Sequence, residues 1–307
     1  MLKYGKICGL IIFVVLFAMC NQKSKNEEGE KESILKGSLV ITIDESIKPI
    51  VEDQVAVFES TYDAKITIVP KSESELINDL LNQKTNVVIT SRDLTDKEKE
   101  KFKSLKIVPR ITPFAIDAIA FIGNKNNNDT LIALKTVIDF MQGKSDSTIK
   151  GIVFDNPNSS SVRYIKELSG IKEVPKTGVF SFKTNEEVIK FVSENNGIIG
   201  VVGVNWLSQP SMETKPFIEK INVLSVKGLK DNQYYSPTQN DIAETKYPLA
   251  RDLYIINCQG STGLGMGFAS FIAGDIGQRI VLKSGLLPVK VPGRKLQIRN
   301  QINNDKE

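Results

Sequence analysis

The stretch GSLVITIDESIKPIVEDQVAVFES, residues 37–60, sets the pattern that the rest of the chain follows. Residues 39–43 form a short apolar run rich in β-branched side chains, which is typical of a buried strand. Residues 47–61 then place Ile, Val and Phe at helical spacing, and Pro49 falls in the first turn, where a helix tolerates proline. The stretch therefore predicts a strand that leads directly into a helix.

Strands and helices alternate along the rest of the chain in the same way. Further strands are predicted at residues 65–69, 86–90, 115–123, 151–154, 197–204 and 253–256. Further helices are predicted at residues 74–82, 96–105, 131–141, 162–168, 186–193, 267–272 and 276–284. Such alternation implies an α/β fold, in which mixed, mostly parallel sheets carry helices on both faces.

The N-terminal segment has the features of a targeting signal. Lys3 and Lys6 flank the start of an uncharged apolar run at residues 7–19, which is shorter than the ~20 residues of a membrane span. Cys20 follows at once, and the sequence then turns polar. This arrangement resembles a bacterial lipoprotein signal, which implies a signal peptide at residues 1–19 and a lipid on the thiol of Cys20.

Residues 20–36 have few apolar and many charged side chains, so they are predicted to form a flexible tether between the lipid and the folded part. Met19 stands where lipoprotein signals usually carry glycine, alanine or serine. An uncleaved N-terminal anchor, or a secretory signal with an incidental cysteine, is therefore the alternative.

The composition removes several classes of function. The chain has no histidine, which excludes histidine-based acid–base catalysis and imidazole metal ligands. Its three cysteines form no CxxC pair, and no spaced set of Asp and Glu indicates a metal, so neither a metal nor a cofactor is expected. The net charge of +4 is too small and too mixed to indicate nucleic acid. These features favour a binding protein over an enzyme.

Three strand-to-helix turns, at residues 42–46, 89–93 and 154–161, carry hydroxyl groups, and ligands of open α/β sheets bind at such turns. Their candidate ligand-binding residues are Ser46, Ser91, Arg92, Ser159, Ser160 and Ser161. A helix cap explains any one turn taken alone. Three successive serines exceed what one cap requires, and hydroxyls beside free backbone N–H groups form an anion site.

Several motifs, taken in order, resemble phosphate-binding proteins of the PstS type. They are Ser46-Ile47-x-Pro49, Thr90-Ser91-Arg92-Asp93-Leu94, AIDAIAFIGN at 115–124, Asn158-Ser159-Ser160-Ser161, Gly197-Ile198-Ile199-Gly200 and FASFIAGDIGQRIVLKSGLLPV at 268–289. Each motif is short, but their order along the chain is specific to the family.

The resemblance implies the two-lobe periplasmic-binding-protein type II fold, with two strands joining the lobes. The first lobe would combine residues 37–114 with 247–294, the second would be residues 115–246, and residues 295–307 would form a C-terminal tail. The resemblance also implies a monomer at the periplasmic or extracytoplasmic face of a bacterial membrane. There it would close its lobes around inorganic phosphate or a related oxyanion and pass the ligand to ABC permease subunits.

Three places depart from the family pattern. The family's glycine-rich turn, expected near residues 71–74, reads Lys71-Ser72-Glu73-Ser74, and the other two departures concern charged residues. Asp155 stands where the family has an arginine that pairs with phosphate, and Arg92 stands where it has an aspartate that accepts the phosphate proton. We expect Arg92 to supply the missing cation, and Asp44, Asp93 or Asp155 to accept the proton. Arg163 is a second candidate for the cation, or else a solvated surface charge.

Other functions stay open alongside phosphate capture. The nearest alternative is the same fold with a different anionic ligand, or acting as a sensor. A surface hydrolase such as a phosphatase is disfavoured by the absence of histidine and of a metal set. An adhesive or structural surface lipoprotein is disfavoured by the turns with oxyanion-binding character.

Overall fold

The computed structural model describes residues 33–144, 149–260 and 262–293. Its strands are β1 (Gly37–Asp44), β2 (Ala64–Lys71), β3 (Val87–Thr90), β4 (Arg110–Asn124), β5 (Leu131–Ala133), β6 (Gly151–Phe154), β7 (Val179–Ser181), β8 (Ile198–Gly203), β9 (Ile221–Val223), β10 (Ser225–Lys227), β11 (Tyr234–Tyr235), β12 (Ala250–Asn257) and β13 (Leu287–Pro288). Its α-helices are α1 (Lys48–Thr61), α2 (Glu73–Leu81), α3 (Asp96–Ser104), α4 (Leu134–Met141), α5 (Ser160–Ser169), α6 (Asn185–Glu194), α7 (Val204–Ser208), α8 (Lys215–Ile218), α9 (Gln239–Ala243), α10 (Leu264–Ala273) and α11 (Asp275–Lys283).

Most of the strands form one long mixed sheet in the order β2-β1-β3-β12-β4-β8-β6-β7, and β9 and β13 also pair with β4. The pairs toward the two ends are parallel, with β1 beside β2 and β3, and β6 beside β7 and β8. The pairs in the middle are antiparallel. Strands β5, β10 and β11 form a small separate sheet. Two parallel α/β units are thus joined through antiparallel strands.

Strand β4 makes this connection, because its first part pairs with β12 and its second part pairs with β8. Its side chains are buried almost throughout from Phe114 to Asn124, which explains the unbroken apolar run in the sequence. The ladder between β4 and β12 sets Asp117 directly opposite Arg251. This pairing places two charged side chains inside an otherwise apolar part of the sheet.

One large core runs beneath most of the sheet. Helix α1 contributes a buried stripe at helical spacing, and Phe58 in that stripe packs edge-on against Phe268 and Phe271 of α10. A smaller core lies where α2 and α3 cover β3 and β12. The two cores fix the positions of the helix starts that form the candidate site.

The predicted alternation of strands and helices is confirmed. The structure adds elements that were not predicted, namely the short strands β7, β9, β10, β11 and β13 and the short helices α7, α8 and α9. One predicted helix also begins later than expected. Leu131–Ala133 forms strand β5 and not the first turn of a helix, because it pairs with Ser225–Lys227. The helix begins only at Leu134. This pairing joins segments that are far apart in the sequence, so local periodicity could not predict it.

The signal peptide predicted at 1–19, residues 20–32 of the predicted tether with Cys20, and the tail predicted at 295–307 lie outside the described residues. Contacts group the chain from Ser33 onward into a single compact unit. Within the described part, no helix combines the length and the apolar character that crossing a membrane requires.

Candidate functional site

The turn after β1 frees one hydroxyl from capping. The Asp44 carboxylate accepts a hydrogen bond from the backbone N–H of Ser46 at 3.0 Å and so caps the short 3-10 turn Glu45–Ile47. The hydroxyl of Ser46 is therefore not needed for the cap, and the whole side chain is buried.

The turn after β6 divides its three serines in the same way. The Ser159 hydroxyl caps helix α5 by accepting a hydrogen bond from the N–H of Val162 at 3.3 Å. Ser160 and Ser161 are the first two residues of the helix, and both are fully buried. Within the described residues, the Ser161 hydroxyl has no hydrogen-bond partner. One serine thus serves the helix, and two remain available at its positive end.

The two turns meet, although they lie more than a hundred residues apart in the chain. The hydroxyl oxygens of Ser46 and Ser160 are 3.0 Å apart. The backbone carbonyl of Ser46 accepts hydrogen bonds from the Asn205 amide at 3.1 Å and from the Trp206 indole at 3.0 Å. These contacts hold the turn after β1 firmly against the second half of the sheet.

A third group, Arg251 of β12, joins the two serines. Its guanidinium donates to the Ser160 hydroxyl at 3.0 Å and to the Ser46 hydroxyl at 3.1 Å. It also donates two hydrogen bonds, at 3.0 and 2.7 Å, to one oxygen of Asp117. We call Ser46, Ser160 and Arg251 the serine–arginine cluster.

Arg251 is only 5% exposed, and Asp117 is fully buried. Burial lowers the pKa of the guanidinium, but the negative charges of Asp117 and Asp44 outweigh burial and raise that pKa above its ordinary value. Arg251 therefore stays charged inside the sheet. The sequence predictions missed this residue, because it falls in a strand whose other features indicate only packing.

The turn after β3 lies beside the serine–arginine cluster. The Ser91 hydroxyl donates to the Glu73 carboxylate at 3.2 Å and, more weakly, to Asp44 at 3.5 Å. Glu73 is 3% exposed, and it pairs with the guanidinium of Arg163 at 2.5 and 3.2 Å. The Arg163 charge is thus committed to a buried carboxylate that joins α2 to α5.

The charged residues of the same turn face helix α3. Arg92 forms a bidentate pair with Glu98, with both N–O distances at 2.8 Å. Asp93 pairs with Lys99 at 2.8 Å. The structure therefore brings Ser91 to the centre of the site and directs Arg92 and Asp93 mainly toward α3.

Asp155 lies on the opposite side of the site and is 1% exposed. One of its oxygens accepts a hydrogen bond from the Asn185 amide at 3.2 Å, and the same amide donates to Glu45 at 2.7 Å. Burial raises the pKa of Asp155 to about 6, and the charge of Asp44 adds to the effect. Burial and the charge of Asp155 raise the pKa of Glu45 to about 8.

This site can hold an oxyanion, but it is not uniformly positive. Hydroxyls and helix N-termini surround one buried guanidinium, while several carboxylates stand close by. A family model for the PBP superfamily domain matches residues 28–275, which is most of the chain. The chain belongs to the PBP superfamily.

Similar proteins of known name or structure support this assignment. The phosphate-binding protein PstS of Borreliella burgdorferi is 28% identical over 303 residues, which cover 92% of this chain and 98% of the relative. The crystal structure of PstS from Borrelia burgdorferi is 26% identical and covers 83% of this chain and 100% of its own, with a TM-score of 0.52.

A phosphate ABC transporter substrate-binding protein from Clostridium perfringens, solved with bound phosphate, has a TM-score of 0.68. It is 22% identical and covers 83% of this chain and 100% of its own. The predicted two-lobe α/β fold of the periplasmic-binding-protein type and the resemblance to PstS-type proteins are both confirmed.

Proposed function

We propose that this PBP-superfamily protein captures inorganic phosphate outside the cytoplasm and delivers it to an ABC importer. The observation that carries the proposal is the serine–arginine cluster, where two helix-start hydroxyls and a buried guanidinium converge within about 3 Å of one another. The name of the Borreliella relative, phosphate-binding protein PstS, supports phosphate as the ligand.

The chemistry of the cluster suits an oxyanion. Hydroxyls and helix N-termini stabilise negative charge through oriented dipoles, and a guanidinium adds charge-assisted hydrogen bonds with a planar geometry that matches phosphate. The ligand would enter between the Ser46 and Ser160 hydroxyls and take over their hydrogen bonds with Arg251. Further hydrogen bonds to the ligand would come from the hydroxyls of Ser91, Ser159 and Ser161.

Arg251 can supply the positive charge that the family obtains from an arginine at the position of Asp155. Because Asp155 occupies the position of that arginine, the site needs a cation from elsewhere. Arg251 meets this need better than Arg92, whose guanidinium forms a bidentate pair with Glu98. Arg92 would act only from a distance, by partly neutralising the Glu73 carboxylate through a weaker contact.

Carboxylates near the cluster would select a protonated anion. Asp44 and Asp155 are buried beside the serines, so either can accept the proton of hydrogen phosphate, whereas Asp93 is engaged with Lys99. Sulfate has no proton to donate at neutral pH and would be rejected by these carboxylates.

Capture would proceed by closure of two lobes, residues 37–114 with 247–294 and residues 115–246. Strand β4 and the segment just before β12 run between them and would serve as the hinge. Two contacts would join the lobes, namely the Glu73–Arg163 ion pair and the Ser46–Ser160 hydrogen bond, and the bound ligand would bridge the two hydroxyls in place of the latter. The closed form is the one that a permease would recognise.

We further propose that the chain acts as a monomeric binding protein and not as an enzyme. A lipid on Cys20 would hold it at the outer side of a bacterial membrane. These statements rest on the sequence signal and on the substrate-binding role that the names of the relatives give.

Calorimetric titration of the full-length chain with phosphate, arsenate and sulfate tests the proposal. We expect saturable binding of phosphate and arsenate with one site per chain, and much weaker binding of sulfate. Ser160→Ala should weaken phosphate binding, because it removes one hydroxyl of the serine–arginine cluster.

Ser169→Ala is the matched control. Ser169 is buried at the other end of the same helix, 2% exposed, and is far from the cluster along the helix axis. Its replacement should leave the affinity for phosphate unchanged. Absence of phosphate binding to the wild-type chain, or equal losses in both variants, would rule the proposal out.

A further inference from the structure

A cavity of about 370 Å³ opens beside the serine–arginine cluster. Charged and hydroxyl side chains line it, namely Asp44, Glu45, Glu75, Asp155, Lys71, Lys183, Ser72, Ser159 and Thr184. We call this space the acidic cavity. It lies within the size range of small-molecule pockets and offers more room than a single phosphate ion fills.

The acidic cavity contains an unmet hydrogen-bonding capacity. Asp155 is 1% exposed, and its second carboxylate oxygen has no hydrogen-bond partner among the described residues. Asp155 and Glu45 both accept a hydrogen bond from the neutral side-chain amide of Asn185. In the part of the chain that the structure describes, neither carboxylate forms an ion pair.

The cations near the acidic cavity are engaged or lie at its edge. Lys71 pairs with Asp79 of α2, and Lys183 is exposed at the rim. The guanidinium of Arg251 is directed to Asp117 and to the serines. Carboxylates therefore outnumber cations in the interior. Burial raises the pKa values of Glu45 and Asp155, and the neighbouring carboxylates raise them further.

The carboxylates are not arranged as a metal site. No group of three or more metal-ligating side chains within residues 33–144, 149–260 and 262–293 has the geometry to hold a metal ion. An ammonium group fits better, because it offers several donors to oxygens that are spread around a cavity and needs no fixed coordination geometry.

We infer that, besides inorganic phosphate, the site accepts an oxyanion that carries an ammonium group, as a small aminoalkyl phosphate or phosphonate does. The oxyanion would bind the serine–arginine cluster, and the ammonium would bind Glu45 and Asp155 in the acidic cavity. This inference rests on the proposed function, because it uses the same oxyanion site.

The chain geometry sets the length of such a ligand. Glu45 directly precedes Ser46, so their Cα atoms are ~3.8 Å apart. Asp155 likewise belongs to the same turn as Ser160. The residues that would hold the oxyanion and the ammonium thus come from the same two turns, which favours a short linker.

A pair of ligands that differ only in the amine tests the inference. The full-length chain is titrated in a calorimeter with ethylphosphonate, 2-aminoethylphosphonate and inorganic phosphate. We expect 2-aminoethylphosphonate to bind about tenfold or more tightly than ethylphosphonate, since charge-assisted hydrogen bonds would form in the acidic cavity.

Glu45→Gln and a matched control assign the preference to the acidic cavity. Glu45→Gln keeps the shape of the side chain and should abolish the preference for the amine. Glu52→Gln removes one exposed charge from α1 and should keep the preference. If Glu45→Gln does not fold, the wild-type comparison of the two phosphonates still decides.

The outcomes separate the two proposals. Equal affinities for the two phosphonates, with phosphate bound, overturn this inference and leave phosphate capture standing. Tight binding of 2-aminoethylphosphonate without phosphate binding overturns phosphate as a ligand and supports the ammonium site alone. Absence of binding by all three compounds overturns both.

Discussion

The Arg251–Asp117 pair offers the sharpest prediction, because the same guanidinium should serve stability and binding in separable ways. Arg251→Met leaves the fully buried Asp117 carboxylate without its cation. Breaking a buried ion pair from one side costs about 3–5 kcal/mol, since the remaining charge stays uncompensated. The free energy of unfolding, measured by urea denaturation, should fall by this amount.

Adding Asp117→Leu to Arg251→Met should restore most of the lost stability. Replacement of both members of a buried pair by apolar side chains is often neutral or better. The hydroxyls of Ser46 and Ser160 lose a donor in the double variant, but they still have each other at 3.0 Å. The double variant should therefore unfold less easily than the single variant.

The affinity for phosphate should not recover in the double variant as the stability does. The guanidinium directs two hydrogen bonds toward the anion site, and a hydrogen bond to a charged group contributes about 1.5–3 kcal/mol. Loss of both corresponds to ~3–6 kcal/mol, or an affinity lower by roughly 10²–10⁴-fold. This loss should be the same in the single and the double variant, as measured by calorimetry.

Arg163→Met is the comparison for a cation at the same site but outside the serine–arginine cluster. Because Arg163 contacts Glu73 and Glu167 and not the serine–arginine cluster, its loss should lower phosphate affinity less than the loss of Arg251 does. A double variant that is stable and binds phosphate like the wild type would refute the role of Arg251. A single variant as stable as the double variant would refute the energetic reasoning about Asp117.

Three further predictions concern other parts of the structure. Burial raises the pKa of Glu45 from 4.5 to about 8, so between pH 4.5 and pH 8 the folded chain holds a proton that the unfolded chain has released. The free energy of unfolding should therefore fall as pH rises through this range. Thermal melts should give a higher Tm at pH 6 than at pH 8, and Glu45→Gln should make the two Tm values more alike. Trp206, the single tryptophan, donates to the carbonyl of Ser46, so its fluorescence should change on phosphate addition with the affinity found by calorimetry; an unchanged spectrum at saturation would contradict this. Gln278 is fully buried and its amide donates to the Phe114 and Ile272 carbonyls, so Gln278→Leu should lower the free energy of unfolding by about 2–4 kcal/mol without changing phosphate affinity; a loss of affinity at unchanged stability would contradict it.

Local sequence patterns predicted those parts of the site that short segments determine. The apolar run before Asp44 and the helical spacing after Ser46 define a strand, a turn and a helix whatever the rest of the chain does. The three serines at 159–161 likewise lie at a helix start, as predicted. The hydroxyls of the proposed anion site could therefore be named from the sequence.

The partners of these hydroxyls could not be predicted in the same way. Arg251 reaches Asp117 across 134 positions and Ser46 across 205, through the antiparallel pairing of β12 with β4. No local pattern in an apolar strand indicates such a pairing. The sequence therefore indicated Arg92 as the cation of the proposed site, because this arginine lies in one of the recognised turns.

The pairing of Arg92 with Glu98 could have been predicted from the sequence. Thr95 and Glu98 form a capping box, which holds the Glu98 carboxylate at the start of α3. That position is within reach of Arg92, six residues earlier, and the two side chains pair. The T-x-x-E spacing could have indicated that this arginine has a local partner.

A crystal structure of the full-length chain with arsenate would test the central claim most directly, since arsenic can be located by its anomalous scattering. The account predicts one strong anomalous peak within hydrogen-bonding distance of the Ser46 and Ser160 hydroxyls and of the Arg251 guanidinium. A peak elsewhere in the molecule, or a bound arsenate with Arg251 still directed only to Asp117, would contradict it.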